Sequence, residues 1–383
     1  MLLKSYFAYI SAISAALAAQ IFASPVEKRD FGPVNIFTPP STYKSDKTLY
    51  GRQLMLTVND NAGTLLTTWE NYTPTTPYFP IYTSKDHGFT WKSLSKVTDQ
   101  VNGWGLRYQP FLYELTQAWA GFPAGTILLA GNSIPSDLSK TKLDLYASKD
   151  KGVTWNFVSS IASGGKAVPN NGETPVWEPF LLLHKNQLIC YYSDQRDANY
   201  GQKIVHQVSS DGKTWGPVVD DVAVKPYGSR PGMPVIAKLP NGEYIMTYEY
   251  FDASNPNAGF QTTFKLTQDP LSWNDKPAQI LRSTDGYVPL GSPYVIWTPV
   301  GGVNGSIVAN SGSSPDLFIN RNLGNGPWTR LTTQQQDSYS RSLAVGFNPK
   351  DITIVGAGPV AENGARNKVE FSARDVNGCA TCS

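Results

Sequence analysis

Cysteine, histidine and charge are all scarce in this chain of 383 residues, which carries three Cys and three His. So few cysteines exclude a disulfide-built scaffold. Cys379 and Cys382 sit close together in the tail and are spaced to pair with each other, while Cys190 lies in an apolar run and is expected to be a buried free thiol. His87, His184 and His206 show no ligand spacing, so no metal site is expected, and no motif calls for a cofactor. Charged residues make up 16% of the chain, the formal net charge is +2, and no basic run exceeds Lys28-Arg29. That balance argues against nucleic acid and against an anionic membrane surface as partners. A sustained 3.6-residue apolar period of helical length is also missing.

One long apolar run is present, from Ser5 to Ala19 after Lys4, too short for a comfortable membrane span. Ala16 and Ala18 are placed for signal cleavage, and Glu27-Lys28-Arg29 reads as a dibasic processing point. Residues 1–29 are therefore expected to be a signal peptide with a short pro-segment, and the mature chain from Asp30 to be secreted and extracellular. Asn71-Tyr72-Thr73 and Asn304-Gly305-Ser306 have the form of glycosylation acceptors.

What the chain has is a repeat. Ser84-Lys85-Asp86-His87-Gly88-Phe89-Thr90-Trp91 returns as Ser148-Lys149-Asp150-Lys151-Gly152-Val153-Thr154-Trp155, and one residue shorter as Ser209 to Trp215. Decayed copies end at Trp273 and Trp328, so the closing tryptophans at 91, 155, 215, 273 and 328 are 64, 60, 58 and 55 residues apart. Each letter suits a hairpin turn: Asp accepts from nearby backbone, Gly takes a positive φ, the hydroxyls satisfy turn amides and Trp plugs the turn. The octets are read as folding devices without a catalytic residue.

Between them recur pairs of short apolar runs bounded by turn residues, the signature of strands and hairpins. The six pairs begin at Arg52, Gln109, Glu178, Met233, Ser292 and Arg341. Six pairs against five octets suggest a ring whose last unit is completed from both chain ends, by Val34 to Phe37 or Lys368 to Arg374. The 354 residues from Asp30 to Ser383 leave about 59 per unit, the size of a four-stranded blade. The expected fold is an all-β, six-bladed β-propeller forming a single domain over residues 30–383.

In a propeller the residues before each innermost strand converge near the axis. That alignment places Arg52, Gln109, Glu178, Met233, Ser292 and Arg341 together, and the ends of the second strands add Glu70, Asp194 and Glu249. Asp194 is read as the partner of an arginine. Glu178 between Trp177 and Pro179, and Glu249 between Tyr248 and Tyr250, are the candidate catalytic pair, because glycosidic cleavage needs one carboxyl as acid and another to attack or stabilise the sugar cation. Arg52, Arg230, Tyr339 and Arg341 are expected to bond sugar hydroxyls or hold the glutamates, and Trp104, Tyr108, Trp177 and Tyr250 to stack on sugar rings.

The Ser-x-Asp-x-Gly-x-Thr-Trp octets resemble the Asp-boxes of sialidase-like propellers. Tyr50-Gly51-Arg52, Trp177-Glu178-Pro179-Phe180, Ser229 to Pro234 and Thr247-Tyr248-Glu249-Tyr250 resemble the fungal exo-arabinanases of glycoside hydrolase family 93. The resemblance implies a retaining two-glutamate enzyme releasing arabinobiose from the non-reducing end of α-1,5-L-arabinan; the expected partner is arabinan or its oligosaccharides, and the chain is expected to be a monomer without a cofactor. From its apolar neighbours Glu178 is assigned the acid/base role and Glu249 that of nucleophile. Two alternatives stand beside this. A sialidase would use the arginines for a substrate carboxylate, although the Arg-Ile-Pro run found there in sialidases is absent at Arg52. A non-catalytic sugar-binding propeller would repeat its binding residues in every blade, whereas here they differ.

Overall fold

The computed structural model describes residues 30–58, 62–360 and 364–378; the expected signal and pro-segment and the Cys379–Cys382 pair lie outside them. The described strands form six four-stranded antiparallel sheets. Five follow chain order, and the sixth takes its outermost strand, Phe31–Phe37, from the start of the chain, beside Val369–Asp375, Asp351–Gly356 and Ser342–Val345. Both candidate closing segments are therefore used. The innermost strands are Thr48–Met55, Leu106–Glu114, Val176–His184, Arg230–Lys238, Tyr294–Thr298 and Ser342–Val345, and we number the blades I to VI in that order. Each inner strand packs against those of its two neighbours, and that of blade VI packs against that of blade I, so the ring is closed. The fold is the six-bladed propeller the repeat implied.

The octets close the hairpins between third and fourth strands, as their chemistry requires. In blade II the Ser148 hydroxyl donates to Asp150 at 2.8 Å and accepts from the Gly152 N–H at 2.8 Å. Asp150 also accepts from the Thr154 N–H at 2.8 Å and hydroxyl at 2.6 Å, and the Trp155 indole donates to the Gly152 carbonyl at 3.1 Å. The shorter blade III copy keeps the Ser209 and Asp211 contacts but turns its Trp215 indole to Ser159 of blade II, at 3.0 Å. Ser159 in turn donates to the Gly212 carbonyl at 2.7 Å, so the octets also join neighbouring blades. In blade V the decayed copy lets Asn320 accept the Asn322 and Gly324 N–H groups, each at 2.9 Å.

The first four inner strands start upstream of the sequence expectation, because each passes through a kink in which one non-glycine residue takes a positive φ, and such a residue also stands just before each of the last two. These are Tyr50 (54°), Gln109 (59°), Glu178 (62°), Met233 (58°), Ser292 (39°) and Ser340 (56°). Four are followed by proline, which has no N–H to offer the ladder. In blades I to IV the strand pairing shifts register at this point, as a bulge does. The alignment is thereby corrected at two places. Tyr50, not Arg52, and Ser340, not Arg341, are the counterparts of Glu178, because a bulge changes which residue faces the axis and leaves no mark in an apolar pattern.

Replacing Trp155 by Ala should cost about 3–5 kcal/mol, as for a large buried aromatic, and Asp150→Ala only about 1 kcal/mol, since that carboxylate is solvent-exposed. Denaturant melts should show this order while kcat/KM of the folded protein stays unchanged. A loss of turnover in Asp150→Ala at full stability would give the octets a chemical role.

Candidate active site

The bulge residues carry outward-turned N–H groups that the sheet cannot satisfy, and each of blades I to IV supplies an acceptor to the next. Glu70 accepts from the Gln109 N–H at 2.9 Å, the Gln109 side chain from the Glu178 N–H at 3.1 Å, Glu178 from the Met233 N–H at 2.9 Å, and Glu249 from the Ser292 N–H at 2.8 Å. Glu70 and Glu249 occupy equivalent places on second strands, paired with Leu49 and Gly232, the residues just before the bulges of blades I and IV. Glu178 is itself the bulge residue of blade III. Three carboxyl groups thus reach the axis by a repeated backbone device.

They border one cavity of about 410 Å³, whose walls also include Tyr108, Trp177, Arg230 and Tyr339. The two expected catalytic glutamates share it. Gly232 lets blades III and IV approach here, since a Cβ at this position would lie 2.5 Å from the Gln202 amide nitrogen and 3.5 Å from Glu178 Oε2. A larger surface hollow of about 700 Å³ lies on blade V around Gly301, Asn304 and Asn322 and has no acidic residue in its walls.

Burial raises the pKa of all three glutamates, but their surroundings differ. Glu178 receives the Ser193 hydroxyl at 2.5 Å besides the Met233 N–H, and the Arg230 and Arg52 charges favour its ionised form, so these effects oppose the rise. Glu249 accepts one N–H, and the negative charge of Glu178 adds to the effect of burial, so its pKa is pushed up to about 7. Glu70 is pushed up to about 8 by burial, although it accepts from the Gln109 N–H and, at 3.0 Å, from the Tyr72 hydroxyl. Tyr339 stands among these groups, and burial together with their charges holds its hydroxyl neutral. Arg230 is held by Asn171 at 2.6 Å and by Gln202 at 2.7 Å, with its charge directed at Glu178 and Glu249.

Of the expected sugar-binding residues, Arg230, Tyr339, Tyr108 and Trp177 border the cavity and four do not. Arg52 lies beneath the floor, stacked 3.8 Å over the Tyr50 ring and bonded to the Ser340 carbonyl and hydroxyl, both at 2.7 Å; it acts on the glutamates through its charge alone. Arg341 is fully buried and donates to the carbonyls of Ser314 at 2.5 Å, Pro315 at 3.1 Å and Ser311 at 3.3 Å. It follows Ser340, the positive-φ residue of blade VI, and is turned into the blade. Tyr250 sits one residue past Glu249, so strand alternation carries it to the opposite face, where it packs on the core. Trp104 is placed away from the cavity by a loop that Asp99 ties down, accepting from the Val101 and Trp104 N–H groups at 3.0 Å each.

Asp194 is paired with Arg196 at 2.7 Å as expected, and Cys190 is a buried free thiol. Among the described residues no cluster of His, Cys, Asp and Glu could hold a metal ion. Reading the sequence passed over Gln202, Phe260 and Tyr72, which also line the cavity, and left Glu70 without a role. The signal for Glu70 was its position at the end of a second strand, matching Glu249.

A closed propeller with paired carboxyls in an axial cavity suits a glycoside hydrolase, and similar solved structures show the family. The chain is 50% identical to the α-L-arabinanase of Penicillium chrysogenum solved with arabinobiose, over 91% of this chain and 99% of that one, with a TM-score of 0.87. It is 49% identical to the GH93 α-L-arabinofuranosidase of Fusarium graminearum, also solved with arabinobiose, over 91% and 99% of the two chains, with a TM-score of 0.88. The chain belongs to glycoside hydrolase family 93. The NanB sialidase of Streptococcus pneumoniae, 9% identical over 93% of this chain and 72% of that one with a TM-score of 0.59, shares the fold alone. No protein-family model matches the chain, and no curated protein does.

Arg341→Ala should lower stability by about 2–4 kcal/mol, since it strips several buried carbonyls of a charged donor, and leave kcat/KM of the folded fraction nearly unchanged. Arg230→Ala should do the reverse, cutting kcat/KM by about 10²-fold with a small change in Tm. Melting curves and steady-state kinetics on the two variants check the division.

Proposed function

We propose that the chain is a secreted, monomeric, retaining exo-arabinanase that releases arabinobiose from the non-reducing end of α-1,5-L-arabinan, with Glu178 as nucleophile and Glu249 as acid/base. The observation that carries the proposal is the inequality of two carboxyls on one cavity. Glu178, with two donors and two guanidinium charges favouring its anion, ionises first, and its charge then helps to keep the proton on Glu249. This reverses the roles assigned from sequence, because the apolar neighbours of Glu178 along the chain are not what its carboxylate meets in the fold. The arabinobiose bound to the Penicillium and Fusarium relatives supports the disaccharide product.

In the first step a Glu178 oxygen bonds to the anomeric carbon while Glu249 gives its proton to the departing glycosidic oxygen, leaving an arabinobiosyl ester on Glu178. In the second, Glu249 as carboxylate takes a proton from water, whose oxygen attacks the anomeric carbon and frees Glu178. Arg230 balances the negative charge in the site throughout, and the neutral Tyr339 hydroxyl is a donor beside it. Of three arginines available to a sialidase, two are committed to backbone or floor contacts, which weighs against a site for an acidic sugar. The asymmetry of the axial cavity, to which the blades give different residues, weighs against a repeated lectin site.

Activity on arabinan requires Glu178 ionised and Glu249 protonated, so the rate should fall as pH rises through about 7 and Glu249 loses its proton. Glu249→Gln should lose about 10²–10⁴-fold on arabinan yet keep most of its rate of glycosyl-enzyme formation from an activated aryl arabinobioside, which needs no acid. Glu178→Gln should lose both. The opposite pattern would restore the sequence assignment. Chromatography of an arabinan digest should show arabinobiose, and proton NMR of the first product should show the α-anomer; β-anomer would establish inversion.

A further inference from the structure

The mechanism uses two of the three glutamates that face the cavity. Glu70 is 3% exposed and occupies in blade I the place that Glu249 occupies in blade IV, three blades away and so across the axis. If Glu249 protonates the leaving oxygen, the departing chain lies toward blade IV, where Phe260 forms part of the wall, and the retained sugars lie toward blade I, where Asp46, Leu49 and Glu70 stand. We infer that Glu70 is a specificity-determining residue that donates a hydrogen bond to a hydroxyl of the retained arabinobiosyl unit. The inference rests on the arabinanase reading and adds the recognition of the chain end.

Glu70 Oε1 accepts from the Gln109 N–H and Oε2 from the Tyr72 hydroxyl, two bonds that fix the carboxyl on the cavity wall and only partly offset the effect of its burial. It has no salt bridge, and the Arg52 guanidinium is spent on Ser340. The charged and titratable groups facing it are Arg52, Asp46, Tyr50, Tyr72, Tyr108 and Tyr339, and burial outweighs them in raising its pKa to about 8. Below that pH the group is a neutral carboxyl on the cavity wall, whose O–H a sugar hydroxyl can accept. A neutral donor suits a neutral sugar, whereas a carboxylate at the same place would repel the nucleophile's charge. The string of rings from Tyr72 to Tyr108 (6.0 Å) to Trp177 (6.5 Å) lines the same side and can pack against furanose faces.

The test is arabinobiose binding to the full chain by calorimetry between pH 5.5 and 9, for the wild type, Glu70→Gln and Glu70→Ala, with melting curves confirming the fold. The wild type should bind about tenfold more weakly as pH rises through about 8 and the donor is lost. Glu70→Gln keeps a neutral donor and an acceptor, so it should bind within about threefold of the wild type at pH 6 and show no such weakening. Glu70→Ala should bind about tenfold more weakly at pH 6. Equal pH dependence in wild type and Glu70→Gln, tenfold weakening of Glu70→Gln at pH 6, or full affinity in Glu70→Ala would each overturn the inference. A wild type that binds no arabinobiose would instead overturn the arabinanase reading.

Discussion

Four of the six blades present the blade before them with a backbone N–H that no strand satisfies, and the side chain sent to satisfy it is a glutamate in three cases and Gln109 in the fourth. Six non-glycine residues at positive φ carry a cost of roughly 1–2 kcal/mol each, and such strain persists only where the surroundings over-determine it. Here hydrogen bonds across blade boundaries do so for four of them, the N–H groups of Gln109, Glu178, Met233 and Ser292 donating to Glu70, Gln109, Glu178 and Glu249. Arg52 completes the seam between blades I and VI by holding both the carbonyl and the hydroxyl of Ser340. The blades are therefore locked together by the same groups that face the substrate cavity.

This double duty shapes the chemistry. A carboxyl that caps a backbone amide has its orientation set by the main chain, which is the preorganisation that acid and nucleophile require. It also has one oxygen committed, so the number of additional donors decides which group stays ionised. Ser193 supplies that extra donor to Glu178, whereas Glu249 accepts from the Ser292 amide. A single hydroxyl on a neighbouring strand thus contributes to separating two otherwise similar glutamates.

The arginines divide along the same line. Arg230 is held by three neutral amide side chains, Asn171, Gln195 and Gln202, and so keeps its charge available to the glutamates rather than neutralised by a partner. Arg341, surrounded by carbonyls, ties segment 311–316 to blade VI. Arg52 lies between these extremes, structural in its bonds and electrostatic in its reach. Residue type alone does not separate these roles.

Much of the architecture was legible because it is written in local chemistry. The octets state their hydrogen bonds letter by letter, their spacing counts the blades, and the Val34 to Phe37 and Lys368 to Arg374 segments mark where the ring closes. Glu178 and Glu249 stood out for the same reason, as carboxyls placed at strand ends among aromatic residues. What the sequence determined by itself was thus the propeller, its six units and the two glutamates brought to one cavity. Tertiary structure alone decided that Tyr50 and Ser340 take the axial places read as Arg52 and Arg341, that Tyr250 turns away, and that Glu70 turns in. It also set which donors and charges surround each glutamate. Those outcomes depend on bulges and on donors from neighbouring blades, and contacts between residues tens of positions apart leave no periodic trace along the chain.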